Sequence, residues 1–382
     1  MQEAERNNED FSEFGFWRTC DAQNLQYYSA VAYYFAENLQ HDLGVPVGIV
    51  GCNCGGTRAC CWMDEASAEK YGAVWMRDYE NGLKEIKDLE QAKQAFFNNP
   101  MSKKTHPFEN EFSDKMMYGV PLEELLQAFA DMQEAEIGNA IGPWHEWRPS
   151  GLYHTMLEHI MPYTVKGVIW YQGESDEDHP EIYADMMTGL ITCWRTAWED
   201  ELPFLTTMLA PFGELIGNGG KYYPLLREQQ EKVAAQVKDV WCAPTGDVGS
   251  DYDIHPKEKK PIGNRLALLA IGHIYQKDIL CDAPELKDTC IEGNQIILSF
   301  TNAEGGLEVK GEKINALKVY ASDVEIPEIA YKVFIEDEHM IIELMEPIHE
   351  NSISIAFAKE PYYEVNLYNK AMIPIKPFIA NI

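Results

Sequence analysis

The chain has 382 residues, of which 46% are apolar and 12% aromatic; this composition excludes a disordered protein and leaves room for two or three domains. Its formal net charge of −31 repels phosphate backbones, so we expect no nucleic-acid partner. No apolar run approaches the roughly 18 residues that span a bilayer, so we expect no membrane partner.

The nine cysteines are scattered along the chain, and no second pair lies at zinc-site spacing from Cys52 and Cys54 or from Cys60 and Cys61. We therefore expect free thiols in a reducing compartment, with no metal and no cofactor. The first ten residues are polar and acidic rather than a signal peptide, which predicts a cytoplasmic protein if the chain truly starts at Met1.

The first three quarters of the chain alternates helical and strand patterns, which predicts an α/β domain over residues 1–282 with a mostly parallel sheet covered on both faces. A charged stretch at about 63–145 predicts a helical insertion without a strand of its own. The helices are predicted at 25–43, which Gly44 ends, and at 152–161, 181–198, 222–237 and 262–275. The strands are predicted at 45–50, 166–171, 202–210 and 240–248.

The pattern changes after residue 282 to short segments with period-2 alternation separated by turns. These segments predict a small antiparallel β domain over 283–382. Its strands are predicted at 294–300, 316–320, 330–335, 340–344 and 352–358.

Three polar groups lie at the ends of predicted strands, where open α/β sheets bind ligands, and we expect them to converge. The first is Gly55-Gly56-Thr57, which follows the strand at 45–50. Two glycines let the backbone approach a ligand and direct N–H groups at a developing oxyanion. The alternative is a tight turn that needs a positive φ.

The second group is Gln172-Gly173-Glu174, which ends the apolar run at 166–171. The Gln172 amide can donate into an oxyanion hole, and Glu174 can orient its neighbours. The alternative is a helix N-terminus capped by Ser175 or Asp176.

The third group is a loop in which His255 follows Asp247, Asp251 and Asp253. A loop histidine beside a carboxylate suits a general base, because the carboxylate fixes the tautomer and stabilises the imidazolium. Asp253 is nearest in sequence, but all three carboxylates compete. The alternative is a solvated acidic loop or a calcium site. Other histidines, His273 among them, have no comparable context.

Motifs in a fixed order extend this pattern over nearly the whole chain. They include 28–35, 45–49 leading to Gly55-Gly56-Thr57, 148–153, 167–174, 227–230, 253–256 and 263–267. In these motifs the chain resembles the sialate O-acetylesterases of the SGNH-hydrolase superfamily, which also includes acetylxylan-esterase-like enzymes. The resemblance implies a three-layer α/β/α hydrolase domain carrying a β domain.

The implied reaction removes O-acetyl groups from a small acetylated carbohydrate through an acyl-enzyme. The resemblance makes His255 the general base with Asp253 as its partner, and it implies oxyanion donors at Gln172 and in the Gly55-Gly56 turn. It further implies that Arg227 and Glu174 shape the substrate site. His154 stands where relatives carry a polar residue, which implies contact with substrate.

One departure concerns the nucleophile. The family's serine lies in a Gly-Gln-Ser-Asn-Met-type motif upstream of the segment that matches 29–35, and this chain has no such motif. Ser29, Ser175 and Ser250 lack the strand-to-helix turn that presents a nucleophile. We therefore expect the first strand and the nucleophile turn to be missing, and little esterase activity from this chain alone.

Three explanations stay open at this point: a truncated sequence, a split enzyme whose separate N-terminal piece supplies the serine, and a pseudoenzyme that only binds sugar. In a binding protein, sugar rings would stack on aromatic residues near the motifs. Those residues are Trp17, Trp62, Trp144 and Trp147.

Overall fold

The computed structural model describes residues 17–98, 120–121, 123–128, 130, 141–161, 163–215, 218–345 and 353–382. The N-terminal decapeptide and much of the predicted helical insertion, at 99–119 and 131–140, lie outside these ranges. Among the described residues, no helix combines the length and the apolar character needed to cross a membrane.

The helices begin and end at residues suited to those positions. The Ser29 side chain caps the first helix by accepting the N–H of Ala32, and Gly44 ends it with a φ of 67° that glycine adopts without strain. The α-helices are α1 (Ala30–Leu43), α2 (Glu65–Tyr71), α3 (Ala73–Glu85), α4 (Leu89–Asn98), α5 (Glu158–Ile160), α6 (Tyr183–Trp198), α7 (Tyr223–Gln236) and α8 (Lys259–Leu269). π-Helical turns at Tyr153–Leu157 and Ala270–Ile274 flank α5 and α8.

Strands appear from residue 168 onward in the described ranges. The first five are β1 (Val168–Trp170), β2 (Phe204–Thr207), β3 (Glu214–Leu215), β4 (Asn218–Gly219) and β5 (Val240–Ala243). The C-terminal part adds β6 (Glu285–Glu292), β7 (Gln295–Thr301), β8 (Glu308–Val309), β9 (Leu317–Ala321), β10 (Val324–Ile326), β11 (Tyr331–Glu336), β12 (His339–Leu344), β13 (Ile353–Phe357), β14 (Leu367–Tyr368) and β15 (Phe378–Asn381).

The chain divides into two compact units. Unit 1 comprises Met1–Asn24, Cys52–Val165 and Ile182–Glu201, and unit 2 comprises Leu25–Gly51, Lys166–Glu181 and Leu202–Ile382. Unit 1 contains helices α2 to α6 and is held by buried aromatic side chains; the Trp194 indole N–H donates to the carbonyl of Trp62 at 2.7 Å. The boundary that the sequence predicts at residue 282 stays a prediction.

Unit 2 contains a three-stranded parallel sheet in the order β1-β2-β5. Leu205 and Ala243 of this sheet lie in one apolar cluster with residues of α1 and α8. The two helices cross closely, because a Cβ on Gly263 would lie 2.7 Å from the Cβ of Tyr34. This packing fixes the start of α8 relative to the sheet.

Two four-stranded antiparallel sheets complete unit 2, with the orders β10-β9-β13-β15 and β11-β12-β7-β6. Their inward side chains form a single core, in which Ile296 and Leu298 of one sheet join Val319 and Ile355 of the other. The mixed α/β fold with a parallel sheet and a C-terminal antiparallel part confirms the fold class that the sequence predicts.

Two predictions for individual elements were wrong, and one long strand was missed. No strand occurs at 45–50, although Val47 packs against the apolar core. A segment counts as a strand only when its backbone pairs with a neighbouring strand, and this segment has no such pairing among the described residues. Ser29 caps α1 rather than lying inside a helix. The charged strand β6 was not predicted; its exposed residues occupy the edge of a sheet, where apolar alternation is weak.

Candidate functional site

The carboxyl end of β1 is shaped by Gly173. Its φ of 149° lies in a region that side chains rarely adopt, and a Cβ there would lie 3.0 Å from Nε2 of Gln230. That amide of Gln230 donates to the carbonyl of Gln172 at 3.1 Å, and its oxygen accepts the N–H of Leu209 at 2.8 Å. Gln230 is 3% exposed and thus ties the chain beyond β1 to the chain beyond β2.

The Gln172 side chain lies at this edge but is already hydrogen-bonded. Its Nε2 donates to Oδ2 of Asp176 at 2.6 Å, and Asp176 is fully buried. The carboxylate therefore orients the amide. Because a primary amide carries two N–H groups, donation to a substrate oxyanion uses the second hydrogen or a change of partner.

The loop before α8 brings His255 beside Asp253. The Asp253 carboxylate, 5% exposed, accepts the backbone N–H of His255 at 2.8 Å. The His255 Nδ1 lies 3.8 Å from Oδ1 of Asp253, longer than a hydrogen bond, and 79% of the His255 side chain is exposed. The carboxylate thus anchors the loop backbone and holds the imidazole at solvent.

The other two carboxylates of the loop have different surroundings. Asp247 forms a two-pronged ion pair with Arg265, with nitrogen–oxygen distances of 2.8 and 2.6 Å, and also accepts the hydroxyl of Tyr368. Asp251 is exposed. Asp253 is therefore the aspartate of this loop that lies beside the His255 ring.

Lys259, in the first turn of α8, connects the two groups electrostatically. Burial lowers the pKa of Lys259, while the carboxylates of Glu174 and Asp253 raise it. Burial likewise raises the pKa of Glu174, and the Lys259 cation partly offsets that rise. Since Glu174 follows β1 and Asp253 precedes α8, Lys259 links the β1 edge to the histidine loop.

The pKa of His255 reflects opposing influences. Surrounding protein atoms lower the pKa by desolvation, the Asp253 carboxylate raises it, and the Lys259 cation lowers it. Desolvation is the largest of these influences, so the pKa of His255 lies below its ordinary value. A lowered pKa favours the neutral imidazole, which is the form that accepts a proton.

Arg227 lies beneath this edge rather than at solvent. It is 2% exposed, and its guanidinium donates to the carbonyls of Leu209, Glu360 and Pro361 at 2.7 to 3.0 Å. It also lies 4.8 Å from the ring centroid of Tyr363. These contacts hold the C-terminal segment against the end of β2, so the structure gives Arg227 a positioning role; its contact with substrate stays a prediction.

Three predicted residues lie in unit 1. Gly55 and Gly56 are exposed, Gly56 has a φ of 71°, and no atom within 4 Å would meet a Cβ on either glycine. The next residue, Thr57, closes the turn by donating its hydroxyl to the carbonyl of Cys54 at 2.7 Å. His154 directs both ring nitrogens at carboxylates, Glu65 and Glu158, each at 2.9 Å. The oxyanion and substrate roles of these residues stay predictions.

The aromatic residues considered for sugar stacking differ in access. Trp62 and Trp144 are 3% and 4% exposed and serve the core of unit 1. Trp17 and Trp147 are 65% and 39% exposed. Only this second pair presents a surface on which a sugar ring can stack.

Sequence reasoning missed Lys259 and Gln230. The Asp-x-His motif marks the loop, but nothing in the pattern shows which cation faces it after folding. For Lys259, the available signal was its position in the first turn of the helix that follows this motif. Gln230 lies three residues after Arg227 on one face of α7, a spacing that could have indicated a shared contact.

Chemically, the unit 2 edge offers an accessible imidazole beside a carboxylate, an amide donor, and a half-buried lysine and glutamate that act on each other electrostatically. An imidazole with these neighbours is suited to proton transfer, and the amide to stabilising a developing negative charge.

Comparison with protein families gives an independent indication. The family model described as carbohydrate esterase, sialic acid-specific acetylesterase (SASA), matches residues 109–271. That range includes Gln172, Arg227, Asp253, His255 and Lys259.

Comparison with individual proteins agrees. Sialate O-acetylesterase of Mus musculus is 26% identical over 299 residues, 73% of this chain and 49% of the mouse protein. The Rattus norvegicus protein of the same name is 25% identical over 297 residues, with the same shares. The chain thus spans about half the length of the curated relatives it matches.

A solved structure of a carbohydrate acetylesterase from Xanthomonas citri matches with a TM-score of 0.65 and 25% identity. The match covers 96% of this chain and 68% of that one. It therefore extends over both the α/β part and the C-terminal β part.

Proposed function

We propose that the chain contributes to a site that removes O-acetyl groups from a sugar. The similarity to carbohydrate and sialate acetylesterases supports this proposal. The observation that carries the proposal is that His255 lies beside Asp253 in the loop before α8, while Nζ of Lys259 lies 5.4 Å from the ring centroid of Tyr171 at the end of β1. We propose a sialic acid as the substrate class, following the relatives' names.

The reaction we propose is acyl transfer through a serine. The serine oxygen bonds to the acetyl carbon while His255 takes the hydroxyl proton, and the carbonyl becomes a tetrahedral oxyanion. The Gln172 amide donates to that oxyanion. One such donor is worth about 10²–10³ in rate.

The second half of the reaction returns the proton. His255 protonates the departing sugar oxygen as the ester bond breaks, and the acetyl group stays on the serine. Water, deprotonated by His255, then attacks the acetyl carbon, and His255 returns that proton to the serine oxygen as the acyl–serine bond breaks and acetate leaves. Asp253 stabilises the imidazolium at each stage.

We assign the serine to polypeptide outside these 382 residues. Two serines near the motifs have other roles, which supports this assignment: Ser29 accepts the N–H of Ala32 as a helix cap, and Ser250 accepts the N–H of Asp253 at 3.2 Å. A fluorophosphonate probe that labels Ser175 or Ser250 in the chain would overturn the assignment. We expect no labelled serine.

The second candidate is a sugar-binding protein without catalysis. Two distances favour it: His255 Nδ1 is 3.8 Å from Asp253, and the Gln172 amide donates to Asp176 at 2.6 Å. Neither side chain is in the arrangement that acyl transfer needs. Within the esterase proposal, substrate binding must rotate the imidazole toward Asp253, and the Gln172 amide must use its second hydrogen or change its partner.

The test uses the full chain with O-acetylated sialic acid, measuring binding by calorimetry and acetate by an enzymatic assay. We expect binding together with slow acetate release, because without the serine only water deprotonated by His255 can attack the acetyl carbon, and this release should fall to the uncatalysed rate in His255→Ala. The matched control is His41→Ala, an exposed histidine on α1, which should keep the wild-type rate.

Binding without acetate release would favour the sugar-binding protein over the esterase. Absence of both binding and release would overturn both candidates. A release rate equal in wild type and His255→Ala would remove His255 from the mechanism.

A further inference from the structure

Three side chains of different chemistry converge where α8 ends. The Nε2 of His273 lies 2.9 Å from Oδ1 of Asp282 and 3.6 Å from Sγ of Cys281. The same Sγ lies 3.6 Å from Oδ2 of Asp282. One nitrogen, one sulfur and one carboxylate thus face a common point, and their ligand atoms all lie within 4.8 Å of one another.

These separations match those around a tetrahedral zinc ion. Zinc–ligand bonds of about 2.3 Å to sulfur and about 2.0–2.2 Å to nitrogen and oxygen place the ligand atoms about 3.4–3.6 Å apart. Both distances to sulfur already have that value. The nitrogen–oxygen distance must open by about half an ångström, because an ion would replace the proton that the two atoms share.

Neighbouring residues that donate no ligand help to position the three residues. A Cβ on Gly272 would lie 2.3 Å from Sγ of Cys281, so the thiol reaches this point only beside a glycine. The indole of Trp241 stacks on the His273 ring at 4.6 Å. Asn369, fully buried, donates to the carbonyl of Asp282 at 3.0 Å.

We propose that His273, Cys281 and Asp282 bind one divalent metal ion of the zinc class. The thiolate and imidazole exclude calcium and magnesium, which take oxygen ligands, and favour zinc among the ions common in proteins. Three protein ligands leave the fourth tetrahedral position to water. The sequence predicts no metal because His273 stands eight residues before Cys281, outside any motif spacing.

The site is separate from the candidate esterase site. His255 precedes α8 and His273 follows it, and the 11 residues of this helix span about 16 Å. The ion would join the end of α8 to the segment that leads into β6. Its role is therefore to stabilise unit 2, independent of acyl transfer.

The experiment titrates the full chain, freed of metal with a chelator, with Zn²⁺ and with Co²⁺. We expect one Zn²⁺ per chain, a higher melting temperature, and a thiolate-to-cobalt charge-transfer band. Cys281→Ser should lose the band and weaken Zn²⁺ binding about tenfold or more. Cys290→Ser, an exposed cysteine on β6, is the matched control and should bind like the wild type.

Should Cys281→Ser fail to fold, Asp282→Asn serves as the second variant, with Asp288→Asn, an exposed aspartate of β6, as its control. Equal Zn²⁺ affinity in wild type, Cys281→Ser and Asp282→Asn would overturn the proposal. So would a wild-type chain that gives no cobalt–thiolate band, which would leave only a His273–Asp282 ion pair.

Discussion

His255 stands between charges of opposite sign, and this sets its proton affinity. The Asp253 carboxylate favours the imidazolium, and the Lys259 cation disfavours it. A general base must be neutral at working pH, so activity that depends on His255 should be lost as pH falls through its pKa.

Replacing either neighbour should move the pKa of His255 in a known direction. Asp253→Asn removes the carboxylate and should lower the pKa, whereas Lys259→Gln removes the cation and should raise it. NMR titration of the His255 ring protons measures both shifts without any need for turnover. Asp251→Asn and Lys260→Gln, exposed neighbours in sequence, should leave the pKa near its wild-type value.

Gly173 is the residue on which the shape of the β1 edge depends. Gly173→Ala places a methyl group 3.0 Å from Gln230 at a φ of 149°, which should cost about 1–3 kcal/mol of unfolding free energy. Urea denaturation measures the loss. Gly82→Ala is the control: it lies in the exposed interior of α3 with no atom within 4 Å, and should stabilise by about 0.5–1 kcal/mol.

The sequence predicts many of the residues at this edge but not the long-range contacts between them. Gln172, Asp253 and His255 follow from a strand end and a loop motif. Lys259 and Gln230 do not, because their partners lie about ninety and sixty residues away and meet them only after folding.

At the level of elements, α7 connects the parallel sheet to the C-terminal segment through Arg227. Arg227→Met should lower the unfolding free energy by about 3 kcal/mol, because the buried carbonyl at 209 and the partly buried carbonyls at 360 and 361 lose charge-assisted donors. Urea denaturation checks this value. Lys232→Met, exposed on the same helix, should change it by less than about 0.5 kcal/mol.

Helices and strands with a strong hydrophobic periodicity were predicted, whereas segments whose structure depends on backbone pairing with a neighbouring strand were not. The helices α6 and α7 and the strands β7, β9, β12 and β13 agree with the sequence within a few residues. Val45–Val50 looked like a strand because it is apolar, yet pairing decides strand identity. The edge strand β6 is recognisable only through its ladder with β7.

Across the whole molecule the net charge of −31 makes buried carboxylates costly. Burial raises the pKa of Glu231 to about 7, and Glu285 and Glu228 add to the rise while Lys376 and Lys359 oppose it. A carboxyl whose pKa is higher in the folded state stabilises the fold when protonated. That contribution is present below pH 4.5 and is lost as pH rises through about 7.

The unfolding free energy of Glu231→Gln, relative to that of the wild type, should therefore increase as pH rises. Between pH 4 and pH 8 the difference in unfolding free energy should shift by about 1–3 kcal/mol in favour of the variant, since each pKa unit is worth about 1.4 kcal/mol. Chemical denaturation at the two pH values measures it. Glu304→Gln, at an exposed glutamate that does not act on Glu231, should show no such shift.

The proposed acetyl-ester site is tested most directly by NMR of the full chain during titration with O-acetylated sialic acid. We predict that the ring signals of His255 and the side-chain amide signals of Gln172 shift together, with one affinity, because both groups face the same ester. The same titration with de-acetylated sialic acid should shift the Gln172 amide less. Shifts confined to other residues, or equal responses to both sugars, would contradict a site built to recognise the acetyl group.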